Sequence, residues 1–292
     1  MTDVPPIPPS LDHLGRQPAG RAWLDGLPTL LGECAVRWSL AIGDPYTDSS
    51  VSLVVPVRRP GGELAVLKIQ FPHPESDHES EALRRWDGDG AIRLLDEDRE
   101  RHALLLERCV PGRHLATIDS GEALAVLIGL VPRLALPAAE PFTALPDEAR
   151  RWADGLEDQW ERAGCPFERS MVDAATDMLR DLAHGDVPSV LLHQDLHADN
   201  VLAAQREPWL VIDPKPLVGD AAFAVAPIVR ANELGHSSEA VLERLDRLTT
   251  ELGLDRQRAR GWAVGQTLAW AFEGDLVIPE HVETTRWLLQ AG

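Results

Sequence analysis

The amino-acid sequence predicts an α+β protein in two parts, a small, mainly antiparallel β lobe followed by a larger, mainly helical lobe. Three observations point to this. Short runs of β-branched and apolar residues fill about the first third of the chain, around one helical segment. From about Pro111 onward, apolar residues recur every three or four positions, with proline or glycine between the segments. Short strand-like runs interrupt that helical part between residues 189 and 214. A chain of 292 residues has room for two lobes, each with its own buried core, and the division is placed at 1–108 and 109–292.

The chain opens on the proline-rich stretch VPPIPPSL, expected to be disordered. AVRWSLAI, SVSLVVPV and ELAVLKI read as strands, and RRPGGE between the last two reads as a hairpin turn, which puts Lys68 on the third strand. PESDHESEALRRW reads as a helix, because Glu79, Leu83 and Trp86 stand at i, i+4 and i+7 on one face. AIRLL and RHALLLERCV are two further strands around the charged turn DEDRE. Helices are expected near 118–135, 147–163 and 168–184, then strands at SVLLHQD, NVLAA and PWLVIDP, then at least three more helices. No internal repeat is visible.

Composition narrows the function classes. The 44% hydrophobic and 26% charged content is that of a globular protein. No apolar run approaches the ~20 residues that span a bilayer, and the N-terminus lacks a basic region followed by an apolar one, so a cytoplasmic protein is expected. Cys34, Cys109 and Cys165 are odd in number and widely spaced, which argues against a disulfide framework or a zinc knuckle. A formal charge of −19 repels nucleic-acid backbones and anionic membranes and favours a cationic partner.

Among 28 basic residues only Lys68 and Lys215 are lysine; arginine fills every other basic position. An ammonium is a compact point charge with three rotatable donors, where a guanidinium is broad and planar. The stretch LLHQDLHADNVL packs His193, Asp195, His197, Asp199 and Asn200 behind an apolar strand, and a second apolar strand, WLVI, ends in Asp213. This set suits phosphoryl transfer, in which the protein mainly positions reactants and stabilises charge. Asp195 would accept the proton of an attacking hydroxyl. Asn200 and Asp213 would hold magnesium, which favours hard oxygen ligands. Lys68, oriented by Glu79 rather than by Glu75 one turn away, would hold the nucleotide phosphates. A second reading is a metal-dependent hydrolase, because His193, Asp195, His197 and Asp199 alternate like ligands on an extended chain. It leaves Lys68 and Asn200 without a role.

These residues resemble the aminoglycoside phosphotransferase family of the protein-kinase-like fold, and within it the streptomycin and hydroxyurea phosphotransferase group. The resemblance rests on VSLVVPV, AVLKI, HESEALRRWDGDGAIRLL, LLLERCVPG, LLHQDLHADNVL and WLVIDPKPLVGD, which run from about residue 50 to residue 220. It implies a bilobal fold with a nucleotide-binding N-lobe and a C-lobe carrying the catalytic loop and acceptor site. It implies a hinge from Glu107 to Cys109 whose backbone receives the nucleotide base. The loop DPYTDSS, with Ser49 and Ser50, would cover the phosphates, and Lys215 would face the transferring phosphate or the substrate. The implied activity moves the γ-phosphate of ATP or GTP, with Mg2+, to a hydroxyl of a small cationic molecule, an aminoglycoside of the streptomycin type. Another small metabolite or a sugar is the alternative acceptor, and a pseudokinase that only binds is a third possibility.

The sequence also departs from the family pattern. Gln194 stands where antibiotic kinases usually have a small residue and protein kinases an arginine, which argues against control by a phosphorylated loop. The phosphate loop lacks the G-x-G-x-x-G spacing. GDAAF begins six residues after Asp213, too soon for the long peptide-binding segment of a protein kinase. His193 reads as a brace for the loop, and His197 and Asp199 as residues that could line the acceptor pocket. Glu273 and Asp275 in AFEGDL read as the surface end of a helix rather than as a grip on a cationic substrate.

Overall fold

The computed structural model describes residues 5–47, 49–185 and 187–291. The chain divides into two compact units, Met1–Gly112 and Arg113–Gly292.

The first unit is built on a five-stranded antiparallel sheet in the order β1-β2-β3-β5-β4. Its strands are β1 (Ala41–Ile42), β2 (Ser52–Arg58), β3 (Leu64–Gln70), β4 (Leu94–Asp98) and β5 (Ala103–Glu107). Gly61 and Gly62, both at positive φ, turn the chain between β2 and β3. Leu53, Val55 and Val57 of β2 meet Ala65, Leu67 and Ile69 of β3 in one apolar core. Helix α1 (Pro18–Arg37) closes that core with Leu27, Leu31 and Cys34, and α2 (Glu79–Trp86) buries Glu79, Leu83 and Trp86.

Three sequence expectations change here. Ala35–Arg37, read as strand, form the last turn of α1, because Leu27, Leu31, Cys34 and Ala35 continue a helical stripe; only Ala41–Ile42 are strand. From Pro5 onward the proline-rich opening is part of the fold: Pro9–Arg16 form a 3-10 helix whose Leu11 is fully buried, with Ile7 packed on the same core. Gly20 permits this approach, since a Cβ there would stand 2.1 Å from the Leu14 carbonyl oxygen. Strand β4 takes in Asp96–Asp98, so the turn falls at Arg99–Arg101. Arginines make that acidic strand possible: Asp98 is paired by Arg37 and Arg101, and Glu97 by Arg84 and Arg99.

The second unit packs helices around α8 (Arg256–Ala269), which is buried along most of its length. The other helices are α3 (Ser120–Leu134), α4 (Leu145–Arg162), α5 (Arg169–Leu182), α6 (Ala226–Arg230), α7 (Ser238–Leu252) and α9 (Pro279–Gln290). Strands β6 (Thr143–Ala144), β7 (Ser189–Leu192) and β10 (Leu217–Asp220) form one small sheet, in the order β6-β10-β7. Strands β8 (Val201–Ala203) and β9 (Trp209–Val211) form a hairpin. Asp220 ends β10, accepting from Ala222 N–H, from the Arg258 guanidinium and from Trp262 Nε1–H at 2.8 Å. Trp262 meets Phe223 edge-on, and Phe223 stacks on Trp152.

AFEGDL is not a helix end. Phe272–Glu273 (β11) and Leu276–Val277 (β12) form a two-stranded hairpin turned by Gly274 at positive φ, with Glu273 and Asp275 exposed. No helix among the described residues is long and apolar enough to cross a membrane.

Candidate active site

In the first unit, period-two geometry puts Lys68 and Gln70 of β3 on the same face of the sheet. Both reach one carboxylate oxygen of Glu79, the first residue of α2: Lys68 Nζ and Gln70 Nε2 each donate to Glu79 Oε2 at 2.6 Å. Lys68 is 6% exposed and Glu79 2%, so these charges are withdrawn from water and held by each other. Glu107 ends β5; its N–H donates to the Arg93 carbonyl and its carboxylate accepts from Arg93 N–H, both at 2.9 Å. With the Glu107 side chain engaged in this way and Cys109 buried, any hinge role at Glu107 to Cys109 would fall to backbone groups. The Ser49 carbonyl accepts from Ser10 Oγ, and Ser50 is exposed; Asp48 of the same loop lies outside the described residues.

In the second unit, β7 and β9 run out into the two polar segments. Gln194 and Asp213 both adopt positive φ, of 64° and 55°, a region that L residues other than glycine rarely enter. Buried bonds hold this backbone in place. His193 Nε2–H donates to the Ile212 carbonyl at 2.9 Å, and Asp195 N–H donates to His193 Nδ1 at 3.3 Å. One imidazole therefore ties the segment bearing Asp195 to the residue before Asp213. Burial lowers the His193 pKa to about 4, so the ring is neutral and its bonds fix the tautomer. Gln266 of α8, fully buried, donates from Nε2 to the Gln194 carbonyl at 2.8 Å. Asn200 Nδ2 donates to the Asp195 backbone carbonyl at 2.9 Å, which turns the amide oxygen the other way.

The Asp195 carboxylate is surrounded by cations. Lys215 Nζ donates to Oδ2 at 2.5 Å, and an Arg230 guanidinium N–H donates to Oδ1 at 2.6 Å. Both cations lie over the Trp270 ring, Arg230 at 4.2 Å and Lys215 at 5.2 Å from its centre. His197 Nε2 is 3.9 Å from Oδ1, and His197 Nδ1 pairs with Glu233 Oε1 at 3.0 Å. Burial alone would raise the Asp195 pKa; Lys215 and Arg230, with His197, outweigh it and hold the carboxyl far below the usual range. For His197, burial is outweighed by Glu233 and Asp195, which hold the ring above its ordinary value.

Of the hydrolase ligand set, His193 is engaged by backbone groups and Asp195 by cations. Among the described residues, the group that could hold an ion is His197 and Asp199 with Glu233, their ligand atoms within 4.8 Å of one another. A different pair would suit magnesium: Asn200, whose amide oxygen is left outward, and Asp213 offer hard oxygen donors on segments joined by the bond from Ile212 N–H to the Asn200 carbonyl. Sequence reasoning missed Arg230, Glu233, Gln266 and Trp270. Arg230 carried a signal: in AFAVAPIVRA it is a single charge in an apolar run, as Lys68 is in AVLKI.

The family model described as aminoglycoside/hydroxyurea antibiotic resistance kinase matches residues 37–274. A streptomycin 6-kinase of Streptomyces griseus is 40% identical over 267 residues, which is 88% of this chain and 87% of that protein. A hydroxyurea phosphotransferase of Kitasatospora aureofaciens is 40% identical over 275 residues, 90% of this chain and 78% of that one. Among solved structures, a thermostable mutant of the aminoglycoside phosphotransferase APH(4)-Ia, in ternary complex with AMP-PNP and hygromycin B, superposes with a TM-score of 0.61. It shares 16% identity and covers 91% of this chain and 95% of its own.

Proposed function

Because the chain belongs to the aminoglycoside/hydroxyurea antibiotic resistance kinase family, we propose that it moves the γ-phosphate of a nucleoside triphosphate to a hydroxyl of a streptomycin-type aminoglycoside. Its fold is the bilobal, protein-kinase-like α+β fold, and it is a small-molecule kinase with an alcohol group as acceptor. The observation that carries the proposal is the Asp195 loop: a buried carboxylate held among cations, with Asn200 and Asp213 tied to it through the Asp195 carbonyl and His193.

In this reading Asp195 orients the acceptor hydroxyl and receives its proton. The hydroxyl oxygen bonds to the γ-phosphorus as the bond to the bridging oxygen breaks, and the nucleoside diphosphate leaves with that electron pair. Asp195 is a weak base beside its cations, so its first contribution is orientation, with the proton passing late as charge leaves the oxygen. Lys68, oriented by Glu79, to which Gln70 also donates, takes the α and β phosphates, while Glu107 to Cys109 receive the base and Ser49 and Ser50 cover the phosphates. Magnesium held by Asn200 and Asp213 would neutralise charge on the phosphate oxygens. The first unit thus serves the nucleotide and the second the acceptor. The net charge of −19 supports a cationic acceptor over nucleic acid or membrane.

Identity to the hydroxyurea phosphotransferase is as high as to the streptomycin kinase, so hydroxyurea is the second acceptor to test. The protein is incubated with Mg2+, ATP or GTP, and streptomycin, hydroxyurea or sugars, and phosphate addition is read by mass spectrometry. Phosphorylated streptomycin is the expected product; phosphorylation of hydroxyurea alone, or of none of these, rejects the streptomycin reading. Asp195→Asn should lower kcat by about 10²- to 10⁴-fold.

A further inference from the structure

Asp195 offers its two oxygens to two very different cations. Oδ1 is held by Arg230, whose side chain is 7% exposed and whose guanidinium carbon lies over the Trp270 ring, 4.2 Å from its centre. Oδ2 is held by Lys215, whose side chain is 23% exposed and whose ammonium lies farther out, at 5.2 Å from the same ring. The backbone that carries Arg230 is itself locked. Arg244 of α7, buried, donates to the Val229 carbonyl at 2.9 Å and to the Leu234 and Gly235 carbonyls at 3.0 and 2.7 Å. A planar guanidinium between an aromatic face and a fixed helix end has one geometry to offer. A partly exposed ammonium on a flexible stem has many.

We propose that Arg230 is a positioning residue that fixes Asp195 through Oδ1, and that Lys215 is a resting cap on Oδ2 which the acceptor hydroxyl displaces. Oδ2 is then the oxygen that meets the hydroxyl, and the released ammonium is free to turn to the transferring phosphoryl group. A carboxylate pinned at one oxygen keeps its plane when the other exchanges partners, and that keeps the attacking oxygen in line. The inference rests on Asp195 being the catalytic carboxylate.

The test compares Arg230→Gln, Arg230→Lys, Lys215→Met and Asp195→Asn, each first checked for folding by circular dichroism. Steady-state kinetics with streptomycin, and with hydroxyurea in parallel, are set beside direct titrations of nucleotide and acceptor. Arg230→Gln is expected to lose about 10²-fold in kcat, the scale of a small misplacement, with nucleotide Kd unchanged, and Arg230→Lys to regain part of it. Lys215→Met is expected to lose kcat while binding acceptor more tightly, because no cap has to leave.

Wild-type kcat in Arg230→Gln overturns the anchor. A loss of nucleotide affinity alongside kcat overturns it as well, since that marks a merely structural role. Weaker or unchanged acceptor binding in Lys215→Met overturns the cap. If Asp195→Asn turns over normally, or neither acceptor is phosphorylated, the parent reading fails; if Asp195→Asn is dead while the Arg230 variants are wild type, only the present inference fails.

Discussion

Acid should destabilise the second unit through His193, by an amount the structure sets. The imidazole is buried and neutral, donating from Nε2 to Ile212 and accepting at Nδ1 from Asp195 N–H. Burial lowers its pKa to about 4, from the 6.5 it has in the unfolded chain. Between those values the unfolded state binds the proton and the folded state refuses it, so stability falls as pH falls from 6.5 to about 4, and no further below. At about 1.4 kcal/mol per pH unit, that window is worth ~3 kcal/mol. His281, also lowered to about 4 by burial and by Arg230, acts in the same sense. Asp195, held below the carboxylate range, loses its contribution only in stronger acid, and His197, held up by Glu233, loses its contribution as pH rises.

His193→Leu isolates the effect, because leucine does not titrate and leaves the Ile212 carbonyl and Asp195 N–H without that partner. At pH 7 the variant should be ~2–4 kcal/mol less stable, the cost of two buried groups left unmet. The gap from wild type should then shrink by ~3 kcal/mol on going to pH 4. Urea denaturation followed by tryptophan fluorescence reads it, since six of the nine tryptophans lie in the second unit. A gap that stays constant from pH 7 to pH 4 would refute a neutral, buried His193.

Three further outcomes are expected. Glu79→Gln leaves a buried ammonium without its carboxylate, so the first unit should lose ~3–5 kcal/mol and the nucleotide KM should rise; a normal nucleotide KM removes Lys68 from phosphate binding. Leu11→Ala should lower stability by ~2–5 kcal/mol, whereas a disordered terminus would lose nothing in the same melt. Asp220→Ala strips the Arg258 guanidinium and Trp262 Nε1 of their shared acceptor and should cost ~3 kcal/mol or more with nucleotide Kd unchanged; a near-wild-type urea midpoint would show that solvent replaces the carboxylate.

What the sequence shows and what it hides divide along physical lines. Lys68, Asp195, Asn200 and Asp213 are legible as candidates because each is a polar group set in or beside an apolar strand, and Glu79 because i, i+4, i+7 spacing puts it on the α2 face with Leu83 and Trp86. The end of α1 was misread because Ala35, Val36 and Trp38 suit a strand as well as a helix, and only the upstream stripe decides. Strand β4 was hidden because Asp-Glu-Asp has turn composition; it is strand only because arginines from α1, α2 and the following turn neutralise it. Two-residue strands such as β6 and β11 are too short to carry a period, and β10 is not among the expected strands because its four residues become strand only by pairing with β7. Arg230, Glu233 and Trp270 reach Asp195 and His197 only through tertiary packing, and no local spacing announces that.

The scarcity of lysine acquires a structural meaning once the arginines are seen. Arg244 is spread over three backbone carbonyls, Arg258 grips Asp220 by two nitrogens, and Arg230 lies over Trp270 while it holds Asp195 Oδ1. In each case a rigid fork locks elements that have no reason to move. Lys68 and Lys215 do something else: each brings a point charge to a carboxylate oxygen, Glu79 Oε2 and Asp195 Oδ2. A point charge with rotatable donors can share itself between that oxygen and an incoming phosphate or release it to a hydroxyl, which a rigid fork cannot do without breaking its other bonds. On the proposed mechanism, Lys68 and Lys215 are the two cations whose partners change during the reaction, and that is a physical reason for lysine at these two positions.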